Sequence, residues 1–190
     1  MECVMEKPTV QWGNPGALGL AAFGFNTILL QIHNIGLMES VIPLVYGFFW
    51  GGLAQVIAGI IDARRGDTFG LTAFTSYGFF WIGLSFGFLM QWCGVLTLDT
   101  EGLGWLMIAW ACFTAYMSIG TFKMTKTHTV IFVSLTILFI LLAIHFLTGM
   151  DAMVAGIEGL FCGASAVYGS MAVVLNDKYG RTVLPMGNWS

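Results

Sequence analysis

Residues 127–150 read THTVIFVSLTILFILLAIHFLTGM, without a single Asp, Glu, Lys or Arg. A helix rises about 1.5 Å per residue and needs roughly 20 apolar residues to cross about 30 Å of hydrocarbon, where its backbone groups must pair within the segment. This stretch meets that requirement unaided. Outward from it, the same absence of charge recurs over 8–38, 40–61, 68–98, 102–122 and 159–176. The runs predict six transmembrane helices near Ala17–Leu37, Val41–Ile61, Phe69–Gln91, Leu103–Phe122, Thr129–Leu147 and Ala152–Leu175, joined by short connections. The expected fold class is an all-α integral membrane protein whose helices form a bundle around a central solute path.

Composition agrees with that reading. The chain is 57% hydrophobic and 9% charged, whereas a soluble domain carries about a quarter charged residues. The basic residues are also one-sided. Lys7 precedes the first run, Arg64 and Arg65 follow the second, Lys123 and Lys126 the fourth, and Lys178 and Arg181 the sixth. The alternate connections hold Glu39, Asp99, Glu101 and Asp151 and no basic residue. The positive-inside bias then predicts both termini in the cytoplasm of a cell-membrane protein. The domain reading is a cytoplasmic segment 1–13, a membrane domain 14–176 and a cytoplasmic tail 177–190.

The opening residues, with Glu2, Glu6, Lys7 and Pro8, lack the apolar core of a cleavable signal, so the first helix is expected to stay. The net charge of −3 says nothing about a nucleic-acid partner, but no basic stripe exists to bind one, so none is expected. Cys3, Cys93, Cys112 and Cys162 show no metal spacing, and three of them are expected to pack as small apolar residues. No phosphate loop, HExxH or G-x-S-x-G pattern is present, so neither enzyme, cofactor nor metal is expected. Trp12, Trp50, Trp92, Trp105 and Trp189 read as interfacial anchors. Gly47 with Gly51, Gly83 with Gly87, and Gly159 with Gly163 are small-xxx-small pairs that let helix backbones approach.

Polar residues at membrane depth face a bundle interior or a water-filled path. Phe23, Thr27, Gln31 and Asn34 share one face of the first helix, with Asn26 and His33 to its sides. This is either a pore wall or a set of interhelical hydrogen bonds. The second helix aligns Gly52, Gln55, Gly59 and Asp62, and the third Thr68, Thr72, Thr75 and Ser76. The sixth aligns Glu158, Cys162, Ser165, Gly169, Ala172 and Asn176. Together these surfaces can line a narrow route without fixed positive charge. Glu158 reads as a proton-coupling or mouth residue, or as an acid that reaches water. His33 and His145 read as hydrogen-bonded packing residues ahead of proton relays.

Asn14-Pro15-Gly16-Ala17-Leu18-Gly19-Leu20, with Phe23 shortly after, resembles the helix 1 signature Asn-Pro-Ala-Pro-Leu-Gly-Leu of the acetate uptake transporter family. Gly16 and Ala17 depart from it, and loss of the second proline is expected to loosen the lead-in. Gly51–Gln55, Phe69–Gly78, Cys162–Ala166 and Gly180–Pro185 resemble family segments too, so similarity spans essentially the whole chain. The resemblance implies a hexamer whose protomers each conduct acetate, other small monocarboxylates and in some members succinate. It also implies a constriction of Phe23, Tyr77 and Leu135, the last from Ser134-Leu135-Thr136. Asn14, Thr27, Gln31, Asn34, Gln55, Thr72, Thr75, Ser76, Ser134 and Asn176 are the expected path residues. Channel and proton-coupled symporter both fit. A urea or short-amide channel and a membrane sensor without transport are the rivals.

Overall fold

The computed structural model describes residues 12–189. The segment expected at 1–13 therefore lies outside the described residues except for Trp12 and Gly13, and Lys7 and Cys3 lie outside them entirely. Among the described residues, six helical spans are long and apolar enough to cross a membrane. Helix α1 is Gly16–Asn34. The second span, Ile42–Arg65, comprises α2 (Ile42–Phe48), a π-helical segment (Phe49–Ala54) and α3 (Gln55–Arg65). Then come α4 (Thr68–Trp92), α5 (Thr100–Thr121), α6 (Lys126–Thr148) and α7 (Met153–Tyr179).

Local chemistry sets the ends. Asp67 and Asp99 cap α4 and α5, their Oδ1 atoms accepting from the amides of Gly70 and Gly102, and Thr125 caps α6 through its hydroxyl. Gly66, Gly149 and Gly180 end α3, α6 and α7 in the left-handed region that glycine adopts without strain. At the start of α1, Asn14 Oδ1 accepts from Gly16 N at 2.9 Å and the amide of Gly19 donates to Pro15 O.

Packing follows the glycines. A methyl group added at Gly24 would stand 2.7 Å from the carbonyl oxygen of Gly163, and one at Gly163 would stand 2.8 Å from that of Gly24, so α1 and α7 touch backbone to backbone. Gly78 of α4 and Gly52 of the π segment meet in the same way. The pairs anticipated in sequence divide accordingly. Gly47 and Gly51 receive Ser85 and Asn26, Gly159 and Gly163 receive α1, but Gly83 faces open space on the outside. Neighbouring spans pack into a ring, α1 against α7, α7 against α6, α6 against α5, and α3 against α4, with the second span also on α1.

The seam between α4 and α5 is different. Their backbones scarcely meet, and large side chains bridge them: Tyr77 Oη lies 2.9 Å from Thr114 Oγ1, and the rings of Phe80 and Trp110 are 4.9 Å apart. The outer surface is apolar, with Phe49, Ile119, Ile157 and Phe161 all more than half exposed, as suits a surface bathed in lipid. Cysteine packing is corrected here, since Cys162 is buried while Cys93 and Cys112 are exposed. In a membrane a small apolar side chain need not be buried in protein.

Candidate functional site: two cavities meeting at an apolar wall

Two cavities lie inside the ring. Cavity 1, about 330 Å³, reaches the end of the bundle formed by the α1–α2 connection and the end of α6, and is lined there by His33, Asn34, Ser40 and His145. Cavity 2, about 250 Å³, reaches the opposite end, where Asn14, Arg65, Asp67, Met124 and Met186 line it. Phe23, Tyr77 and Leu135 line both. They come from α1, α4 and α6, are 6%, 3% and 3% exposed, and separate the two spaces with apolar surface.

Tyr77 is the best anchored of the three. Its hydroxyl bonds Thr114, and its ring lies 5.4 Å from Trp110, 5.5 Å from Phe113 and 6.1 Å from Phe23. A buried tyrosine needs a partner for its hydroxyl and gains from edge-on ring contacts. Its ring position is therefore set by α5, a helix that places Met107 at cavity 1 but contributes nothing to the wall itself.

Of the path residues expected from sequence, Thr27, Gln31 and Asn34 line cavity 1, and Asn14 and Gln55 line cavity 2. Asn34 Nδ2 donates to Gln31 Oε1 at 2.9 Å. Thr27 Oγ1 and Gln55 Oε1 are buried without a hydrogen-bond partner among the described residues, which leaves hydrogen-bonding capacity beside the wall.

Thr72, Thr75, Ser76, Ser134 and Asn176 line neither cavity. On α4 it is Ala73 and Tyr77 that face inward. A helix turns about 100° per residue, so Thr72 and Ser76, one position earlier, point elsewhere. Thr75 packs against Gly59 of α3. Ser134 turns away from its neighbour Leu135 and donates to Glu158 Oε1 at 2.7 Å. Asn176 holds the end of the chain, accepting from the amides of Val183 and Leu184 and donating to Leu184 O. Helix α7 as a whole seals the ring, with Val173 its contribution to cavity 2. Ser165, on the same expected face, is exposed and bonds back to Phe161 O. Glu158 accordingly lies off both cavities.

The chain beyond α7 is docked. Residues Met186 and Gly187 accept from the amides of Thr127 and Lys126, Tyr168 Oη donates to Pro185 O, and Trp189 Nε1 donates to Thr129 Oγ1. Trp189, read as an anchor, is tied to α6. Sequence reasoning missed Phe80, Trp81 and Phe139, which line cavity 1. Their only signal was register with Tyr77 and Leu135, and aromatic residues are common throughout these helices.

A family model described as the GPR1/FUN34/yaaH family matches residues 2–188. The chain belongs to this family. It is 47% identical over 179 residues to the "Succinate-acetate/proton symporter SatP" of Escherichia coli strain K12, covering 92% of this chain and 95% of that protein. "Acetate permease A" of Emericella nidulans is 29% identical, over 95% of this chain and 68% of its own length. The solved structure described as "Structure of the bacterial acetate channel SatP" superposes with a TM-score of 0.91 at 46% identity, over 93% of this chain and all of that one. Family relatives of this kind are transporters or channels, and this chain is a membrane protein of the same all-helical architecture.

Proposed function

We propose that the chain conducts acetate and related short-chain carboxylates across the cell membrane, one solute path to a protomer. The observation that carries this reading is the apolar wall of Phe23, Tyr77 and Leu135 common to two cavities that run to opposite ends of the bundle. A carboxylate crosses hydrocarbon poorly because burying its charge is expensive. Acetate can present its methyl group to this wall while its oxygens draw on neutral donors on either side: Thr27, Gln31 and Asn34 in cavity 1, Asn14 and Gln55 in cavity 2. Donors of that kind hold a carboxylate weakly, which a conducting path requires, since a solute held firmly cannot leave. Half-saturation is expected at millimolar acetate, on the order of −4 kcal/mol. The names of the relatives, acetate channel, acetate permease and succinate-acetate symporter, support the same substrate class.

Flux of labelled acetate into proteoliposomes, competed with succinate, acetamide and urea, tests the proposal. Acetate uptake above protein-free vesicles, inhibited by carboxylates and not by amides, is expected. Urea flux without acetate flux points to an amide path, and no flux of any of them to a sensor.

The described basic residues Arg64, Arg65, Lys123, Lys126, Lys178 and Arg181 all fall at helix termini of one end, which supports a cytoplasmic position for that end and both termini. Efficient external labelling of a cysteine introduced at Arg65, with none at Asp99, would reverse this orientation. Assembly as a hexamer is proposed on the family resemblance and on the exposed apolar outer surface, and native mass measurement in detergent checks it.

A further inference from the structure

Cavity 1, on the reading above, receives an anion, and among the described residues no Lys or Arg lines it. The titratable side chains that line it are Tyr77, at the apolar wall, and two histidines at its mouth, His33 and His145. The two histidines are held in the same way. His33, at the end of α1, places Nδ1 2.9 Å from the carbonyl oxygen of Met38. His145, near the end of α6, places Nδ1 2.5 Å from that of Met150. Each acceptor is five residues on, and between ring and acceptor the chain turns through a left-handed glycine, Gly36 at φ 76° and Gly149 at φ 74°.

This geometry has a chemical consequence. A backbone carbonyl only accepts, so each Nδ1 must carry the hydrogen and donate. The tautomer is thereby fixed, and Nε2 of each neutral ring is a bare acceptor. A carboxylate is also acceptor-only, so the neutral rings offer it nothing. Protonation turns each Nε2 into a charged N–H donor, the kind that binds carboxylates most strongly.

We propose that His33 and His145 form a proton-dependent carboxylate-binding site at the mouth of cavity 1. The small acid's carboxylate is taken by the Nε2–H groups of imidazolium rings, so anion and proton arrive together. The site rests on the reading of the cavities as a carboxylate path and deepens it, because it couples anion capture to pH without any fixed cation. Its surroundings do not compete. Thr27, Gln31, Asn34 and Ser40 on the same cavity are neutral. The carboxylates of this end, Glu39 after α1, Asp99 and Glu101 at the start of α5 and Asp151 before α7, are exposed and do not line the cavity. Glu158 on α7 is engaged with Ser134. The sequence reading of both histidines as packing residues accounts for Nδ1 and leaves Nε2 unused.

The test is acetate uptake into proteoliposomes at equal pH inside and out, about pH 5.5 against about pH 7.5, the range over which imidazoles change charge. Acetate anion is held fixed below saturation, and uptake by protein-free vesicles is subtracted. Wild-type uptake is expected to be at least about fivefold faster at the lower pH. His33→Asn and His145→Asn keep an amide N–H in place of Nδ1–H, preserving the loop bond, and remove Nε2. The double variant is expected to respond to pH by less than about 1.5-fold, because no mouth imidazole remains to titrate. A pH response in the double variant equal to that of wild type, or a flat wild-type response, overturns the histidine site and leaves the path standing. Absence of wild-type uptake at both pH values overturns the path itself. Nitrogen-15 spectra of histidine-labelled wild-type protein supply a measurement that needs no folded double variant. Acetate at about pH 5.5 should move the Nε2 signals assigned to His33 and His145 from the single variants, and unmoved signals refute the site.

Discussion

The mouths of the two cavities are built from different kinds of helix end. Cavity 2 opens among charged groups. Asp67 caps α4, Arg65 stands in the last turn of α3, and Asp62 lies 3.6 Å from Arg65 with 5% of its side chain exposed, while Arg65 also reaches Asn14 Oδ1 at 3.4 Å. Cavity 1 opens between helix ends closed by glycine turns and histidine bonds, with no fixed charge on its wall among the described residues. Both lead to the same three apolar side chains. The difference is one of charge: Arg65, Asp62 and Asp67 line cavity 2, whereas among the described residues no Asp, Glu, Lys or Arg lines cavity 1.

The largest break in this comparison comes from the element both cavities share. Gly163→Leu would push α7 from the backbone of α1, and α1 walls both spaces. Overpacking at a backbone contact costs about 1–3 kcal/mol or more, so little assembled protein is expected on size-exclusion chromatography in detergent. Leu135→Ala acts next. Shortening one of three wall residues joins the cavities more openly, and succinate flux is expected to rise about tenfold while acetate flux changes less than about threefold, a selectivity worth about 1.4 kcal/mol. Unchanged flux and selectivity after truncation of all three residues would mean that they merely pack.

Gln55→Leu tests the neutral donors on the cavity 2 side. It removes a donor and an acceptor at nearly constant volume, and loss of about 1 kcal/mol of hydrogen bonding is expected to lower acetate flux about fivefold with assembly unchanged. Micromolar saturation in wild type, or unaltered flux in this variant, would instead favour a tighter occluded site. The smallest effect is expected from Arg65→Gln. The guanidinium is a third exposed and pairs with a neighbouring carboxylate, so a change of about twofold or less in flux is expected, weakening further as salt is raised. A loss as large as that of Gln55→Leu would show that cavity 2 draws anions with a fixed charge and would erase the contrast between the mouths.

How much was legible in the sequence depended on the energy behind each signal. Charges are so costly in hydrocarbon that their absence from 127–150 and its companion runs located the spans to within a few residues. The second span hid its π-helical segment, because Gly51 and Gly52 read simply as close-packing residues, a role they do fill against Asn26 and Gly78. Thr27, Gln31 and Gln55 were legible as interior polar groups and do face cavities. Thr72, Ser134 and Asn176 looked no different, yet one lines neither cavity, one bonds Glu158 and one fastens the chain end.

Hydrophobic length, charge asymmetry and glycine spacing are properties of the chain itself, and by themselves they determined a six-span membrane protein with its basic residues at one end. Which face of each span meets the path was decided only in the tertiary structure. Helical periodicity states which residues share a face, but the rotation of that face about the helix axis is set by neighbours: Gly24 against Gly163, Gly52 against Gly78, Tyr77 against Thr114. The roles of the two histidines were decided there as well, since the backbone carbonyls of Met38 and Met150 choose the tautomer, and they come into position only when the chain has turned back on itself at Gly36 and Gly149.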